Sequence, residues 1–228
     1  MNYHEFSTLL SETASPVVLL EGTRDLPADL APALTALAAH LARTFPHARF
    51  RTGNAKGSDE AFAAGVASVD PGRIEFVLPY VGHRKKQRHA DSPATAIDEV
   101  PTARLREIID ATIAASPRYQ RVAENYLEPV GHPRQRAAAQ LLLRDTLKVL
   151  GSDLVDRPVA ALFFVHAADP DRGGTGHTIR VCRAHGVPVS DQSQWLKWDL
   201  GAGVRKSGDD DSPKSGGGVT GAANHKSE

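Results

Sequence analysis

The sequence predicts an α/β fold: a mostly parallel sheet with helices on both faces. Three observations carry this expectation. PVVLLEG (16–22) is an uninterrupted apolar run ending in glycine, the pattern of a strand buried on both faces. A helical period follows it, with Leu30, Leu34, Leu37 and Leu41 recurring along ADLAPALTALAAHLARTF. The same strand-to-glycine pattern then returns in ARFRTG (48–53), again ahead of a helical stretch. Strands separated by amphipathic helices require crossovers that lay helices against the sheet, which is a Rossmann-like arrangement.

The first dozen residues lead into the first strand, and Pro27 suits the first turn of the helix after it. In NAKGSDEAFAAGVA (54–67), Ser58 or Asp59 can cap a second helix whose apolar face includes Ala61, Phe62 and Val66. RIEFVLPY (73–80) reads as a third strand. A polar, basic loop, GHRKKQRHADSPAT (82–95), breaks the alternation and precedes helices at about 101–115 and 134–150, punctuated by Pro117, Pro129 and Pro133. This helical segment, about 101–150, reads as an insertion. VDRPVAALFFVHAADP (155–170) supplies a further strand, DPDRGGTGHTIRVCRAHGVPV (169–189) a glycine-rich loop and its helix, and VPVSD (187–191) a last strand. From 201 onward the chain is Gly, Ser, Asp and Lys with almost no bulky apolar residue, a composition that predicts disorder over 201–228.

With 228 residues, 41% hydrophobic and 24% charged, the composition is that of one globular domain over 1–200. Lys and Arg (27) balance Asp and Glu (27), so net charge makes no case for nucleic acid or an acidic membrane. The single cysteine, Cys182, excludes an internal disulfide and a multi-cysteine zinc site and reads as core. The ten histidines lack HxH or HExxH spacing, so no metal site is expected. No run approaches the roughly 20 apolar residues of a membrane span, and the N-terminus lacks a basic, apolar leader; a cytoplasmic protein without a membrane partner is the expectation.

Function is argued from three glycine-containing loops, each after a strand: EGTRD (21–25), TGNAKGSD (52–59) and RGGTGHT (172–178). In a parallel α/β sheet such loops share the carboxyl edge, where ligands bind. Small residues allow close backbone approach, helix N-termini present free amides, and Thr23, Arg24, Lys56, Ser58, Thr175 and Thr178 can hold phosphate or ribose. Each has an ordinary alternative. Arg24 can pair with Asp25 or Asp29, Asp59 can cap its own helix, and His177 can be a plain first-turn residue. HRKKQRH (83–89) is a solvated loop, a flap over the glycine loops, or, through Arg84, Lys85, Lys86 and Arg88, a phosphate-reading strip without the aromatics that stack bases. Trp195 and Trp198 read as a packing lid.

GTR after the first strand, TGNAKGSDEAFAAG, LLLRDTLKVLGSDLVDRPVAALFF and GGTGHTIRVCRAHGVPV together resemble the SLOG superfamily, which includes DprA-type DNA-processing proteins and LOG phosphoribohydrolases; the small YspA-like members are the nearest in kind. The resemblance covers about 16–191 and implies a Rossmannoid domain that binds nucleotides or nucleotide-derived ligands (ADP-ribose, NAD, AMP or cyclic nucleotide type), in some members as signal sensors. It implies ligand contacts from Gly22, Thr23 and Arg24; from Gly53, Asn54, Lys56, Gly57, Ser58 and Asp59, with Asn54 where glycine is more usual; and from Gly173, Gly174, Thr175, Gly176, His177 and Thr178. Arg144 matches a family arginine, but Asp145 stands where that arginine is followed by Asn. LOG enzymes carry a glutamate shortly after the third loop, and this chain reads His177, Thr178, Ile179, Arg180 instead. N-glycosidic cleavage of a nucleoside monophosphate would therefore fall to Asp59, Asp171 or His177. DprA-like DNA binding is the second alternative, and pairing of copies through 101–150 is a further implication.

Overall fold

The computed structural model describes residues 1–128 and 132–200; Pro129 and the tail expected to be disordered lie outside them. Among the described residues, six strands form one all-parallel sheet: β1 (Val17–Gly22), β2 (Arg49–Thr52), β3 (Ile74–Leu78), β4 (Ala94–Ala96), β5 (Ala160–Phe164) and β6 (Val189–Asp191). Their order is β4-β3-β2-β1-β5-β6. The chain steps outward from β1 to β4, then returns to place β5 on the other side of β1, so the order reverses between β1 and β5. That is where a doubly wound sheet opens a crevice at its carboxyl edge.

Side-chain alternation assigns the two faces. Val18, Leu20, Phe50, Ile74, Phe76, Leu162 and Phe164 enter one core with α1 (Tyr3–Ser11), α2 (Ala31–Thr44) and α3 (Ser58–Ala67). Leu19, Ala161 and Phe163 face the opposite way, against Val149 of α6 (Pro133–Leu150) and Ile179 and Cys182 of α7 (Gly173–Ala184). Val77 joins the same side through α4 (Thr102–Ala115), α5 (Gln120–Glu124) and α6. The helices of the 101–150 segment thus form the crossover from β4 to β5, and their apolar residues Ile108, Leu143 and Leu147 are buried in that layer. Trp195, in the short α8 (Gln192–Trp195), packs on Phe62 and Phe164 and donates its indole N–H to the Phe163 carbonyl, while Trp198 stacks near Phe6. These two tryptophans close the first face.

Local details differ from the sequence expectation in three places. The N-terminal residues form α1, held by a capping box between Asn2 and Glu5. The helix after β1 begins at Ala31 with Pro32 in its first turn, while Pro27 sits in a preceding turn whose carbonyl accepts from Leu30. β4 arises within the polar loop: Ala-Thr-Ala carries no bulky signal, and the edge of β3 recruits it.

Candidate functional site

The crevice between β1 and β5 has a volume of about 410 Å³, within the roughly 300–1,000 Å³ of ligand sites. Its walls come from the turn after β1 (Thr23, Arg24) and the loop after β5 that opens α7 (Arg172, Gly173, Gly174, Thr175). The loop after β2 contributes Ala55 and Asp59, and α6 contributes Arg144 and Asp145. The first and third glycine loops therefore meet at one rim. A broader depression of about 670 Å³ lies along α2 beside Ala31, Thr35 and Ala39.

The second loop acts mainly on the protein itself. Asp59, buried at the start of α3, caps no helix; its carboxylate accepts from the amides of Gly22 (3.3 Å), Gly53 (3.2 Å) and Ala55 (3.1 Å). One side chain thus holds the ends of β1 and β2 together and takes up amides that an anion could otherwise use. Ser58 is fully buried and donates to the Thr23 carbonyl at 2.9 Å. Gly57 has φ of 78°, and a Cβ there would lie 2.6 Å from the Arg24 carbonyl, so glycine is required for both conformation and space. Asn54, also left-handed at φ 55°, donates to the His83 carbonyl, and Arg84 returns a bond to the Asn54 carbonyl at 3.1 Å. The basic loop is thereby docked on the second glycine loop. Arg84 also pairs with Glu60 at 2.9 Å. His83 falls to about 4 through burial and the combined charge of Arg144, Arg84, Arg24 and Arg88.

Beneath the crevice lies a cluster of charges away from solvent. Lys148 Nζ is 2.6 Å from Glu21 Oε2 and 2.9 Å from Asp145 Oδ1; both are ion pairs by distance without hydrogen-bond geometry. Arg144 donates through Nε and Nη2 to Asp145 Oδ1 at 3.1 and 2.6 Å, and through Nη1 to the Gly53 carbonyl at 3.1 Å. Thr178 donates to Glu21 Oε1 and to the Gly174 carbonyl. Burial raises the Glu21 carboxyl from 4.5 to about 8 against the pull of Lys148, with Asp145 and Asp59 adding to the rise. Burial also opposes the charge on Asp145, but Arg144 and Lys148 outweigh it and hold that carboxyl well below the usual carboxylate range. Lys148, which burial would lower, is raised by Asp145 and Glu21. The network continues along the same face, where Arg51 meets Glu75 at 3.0 Å and Asp156 at 3.2 Å and donates to the Lys148 carbonyl.

The residues singled out in the sequence thus divide by position. Thr23, Arg24, Asp59, Arg144, Gly173, Gly174 and Thr175 border the crevice along with Gly22. Arg24 is exposed there, and among the described residues it forms no ion pair with Asp25 or Asp29. Lys56 is exposed beyond the crevice walls. Gly176 is buried in the first turns of α7. His177 is fully buried on the far side of α7, between Ser116 (2.9 Å) and Thr146 (3.0 Å), and burial lowers it to about 4. Asp171 is exposed, 3.8 Å from Arg183. Asp59, Asp171 and His177, the three candidates for catalysis, do not converge. The sequence reading gave no site role to Glu21, Lys148 or Arg172 and named Asp145 only as a departure from the family's Asn. A signal for part of this network existed: Glu21 and Glu75 interrupt otherwise apolar strands, and Arg49 and Arg51 alternate with Phe50 along β2.

Among the described residues, no group of His, Cys, Asp or Glu could hold a metal ion, and no helix is long and apolar enough to cross a membrane. No family model and no curated protein matches the chain. Among solved structures it is similar to DNA processing protein A from Helicobacter pylori, described with a single-stranded DNA binding mode; the TM-score is 0.38 and the identity 14%, over 81% of this chain and 67% of that one.

Proposed function

We propose that the β1/β5 crevice binds a nucleotide or nucleotide-derived ligand of the ADP-ribose, NAD, AMP or cyclic nucleotide type, and that the protein works as a binding module for such a signal. One observation carries this reading: Arg24 and Arg172 border the same crevice as the N-terminus of α7, at the point where the strand order reverses. An anion there gains two guanidinium partners, the free amides of the first helical turn and the positive end of the helix. Binding is favoured over turnover because Asp59 is engaged by three backbone amides, His177 is walled off by Ser116 and Thr146, and Asp171 lies exposed outside the crevice walls.

A thermal-shift panel of these nucleotides tests the proposal. A ligand at 100 times its dissociation constant adds about 2.7 kcal/mol of stability. A flat response to the whole panel would rule the reading out. Release of free base from AMP, with binding intact, would replace the binding module by an N-glycosidic hydrolase.

A further inference from the structure

The Asp145 carboxylate is buried on all but 3% of its surface, yet it borders the crevice. Its two oxygens are used unequally. Arg144 Nε, Arg144 Nη2 and Lys148 Nζ all converge on Oδ1. Oδ2 has no hydrogen bond among the described residues and is turned toward α7, where a Cβ on Gly174 would lie 2.6 Å from it. The missing Cβ keeps the way from that oxygen to the crevice open.

We infer that Asp145 Oδ2 is the floor acceptor for a sugar hydroxyl, so that the crevice takes a sugar phosphate with hydroxyls inward and phosphate at the rim. The inference rests on the anion-binding reading above and adds the orientation and the sugar. Arg144 and Lys148 keep the carboxylate ionised, so it can only accept, and a ligand that displaces water from Oδ2 without offering a donor leaves that oxygen unpaired at a cost. The occupant must bring an O–H or N–H. A phosphate at that spot would set two anions together, which the floor disfavours. An ammonium at Oδ2 would lie beside Arg144 and Lys148, which already neutralise Asp145; of the other lining carboxyls Glu21 is held by Lys148, Asp59 by three amides, and Asp25 and Asp169 stand exposed at the rim. A neutral hydroxyl avoids both conflicts, and a phosphate on the same sugar meets the rim arginines.

Calorimetric titration of the full chain with AMP and with 2′,3′-dideoxy-AMP tests this, using wild type, Asp145→Asn and Gly174→Ala. A hydroxyl bonded to a carboxylate predicts that wild type prefers AMP by about ten- to hundredfold. Asp145→Asn removes the charge. Gly174→Ala removes no charge but puts a methyl 2.6 Å from Oδ2, close enough that the carboxylate must shift away from the crevice, and it sits at an exposed position, so it serves as the second variant if the first misfolds. Both variants should bring the preference to within about twofold. Equal affinity of wild type for the two nucleotides, or full discrimination retained in Gly174→Ala, overturns the inference while the anion-binding reading stands. Failure of wild type to bind either nucleotide overturns both.

Discussion

Lys148 Nζ lies 2.6 Å from Glu21 Oε2, a cation on α6 against a carboxyl at the end of β1, with both side chains shut off from water. Charges so placed are held by each other: removing one leaves the partner unsolvated, which is more damaging than removing both. Lys148→Met should therefore cost about 3–5 kcal/mol, and the double change Glu21→Leu/Lys148→Met much less than the sum of the single changes. Urea denaturation of the four proteins in the cycle measures the coupling. Additive losses would show that the pair is not the unit of stability.

Glu21 and His177 pull stability in opposite directions with pH. Glu21 is raised in the folded state from 4.5 to about 8, so its contribution is full below about 4.5 and is lost as pH rises toward 8. His177 is lowered from 6.5 to about 4, so its contribution is present above 6.5 and is lost as pH falls toward 4. The effects are on the order of 5 kcal/mol for Glu21 and 3 kcal/mol for His177. Stability curves should show Glu21→Gln falling less than wild type between pH 5 and 8, and His177→Gln falling less between pH 6.5 and 4. Parallel curves for wild type and either variant would contradict the assignment to that residue.

Asp59 is the fastener of the carboxyl edge. Asp59→Ala strands three amides at the ends of β1 and β2, an expected loss of about 3–5 kcal/mol; Asp59→Asn keeps one acceptor oxygen and should lose less. Denaturation midpoints rank the three proteins. A loss below about 1 kcal/mol in Asp59→Ala would mean that water replaces the carboxylate and that the amides are open to a ligand after all.

The rim arginines should matter to ligand and not to fold. Arg24→Ala and Arg172→Ala are each expected to weaken AMP binding about tenfold, with stability changed by less than about 0.5 kcal/mol. Lys56→Ala, outside the crevice walls, should stay within about twofold of wild type. Titrations at two salt concentrations separate the cases, since charge-borne binding weakens with salt. An equal loss in Lys56→Ala would move the anion to the second loop.

The α/β architecture, five of the six strands and the helices of the 101–150 segment could be read from the chain because each buries an apolar face of regular period. β4 could not, since three small residues depend on a neighbouring edge rather than on their own pattern. Within the site, the two loops that meet at α7 were legible from their glycines. Which glycines border the crevice was not: Gly53 looks the same in sequence as Gly22, Gly173 and Gly174, yet only the latter three line it.

By itself the sequence determined the layers, because hydrophobic period is local and the sheet follows from it. It also determined that glycine-bearing loops would gather at one edge, since parallel strands place their carboxyl ends together. Only the tertiary structure decided the electrostatics. Asp145 and Glu21 are a carboxyl kept ionised and a carboxyl pushed toward neutrality because burial strengthens every nearby charge, and which charges are nearby is fixed by packing α6 against β1, residues more than a hundred positions apart in the chain.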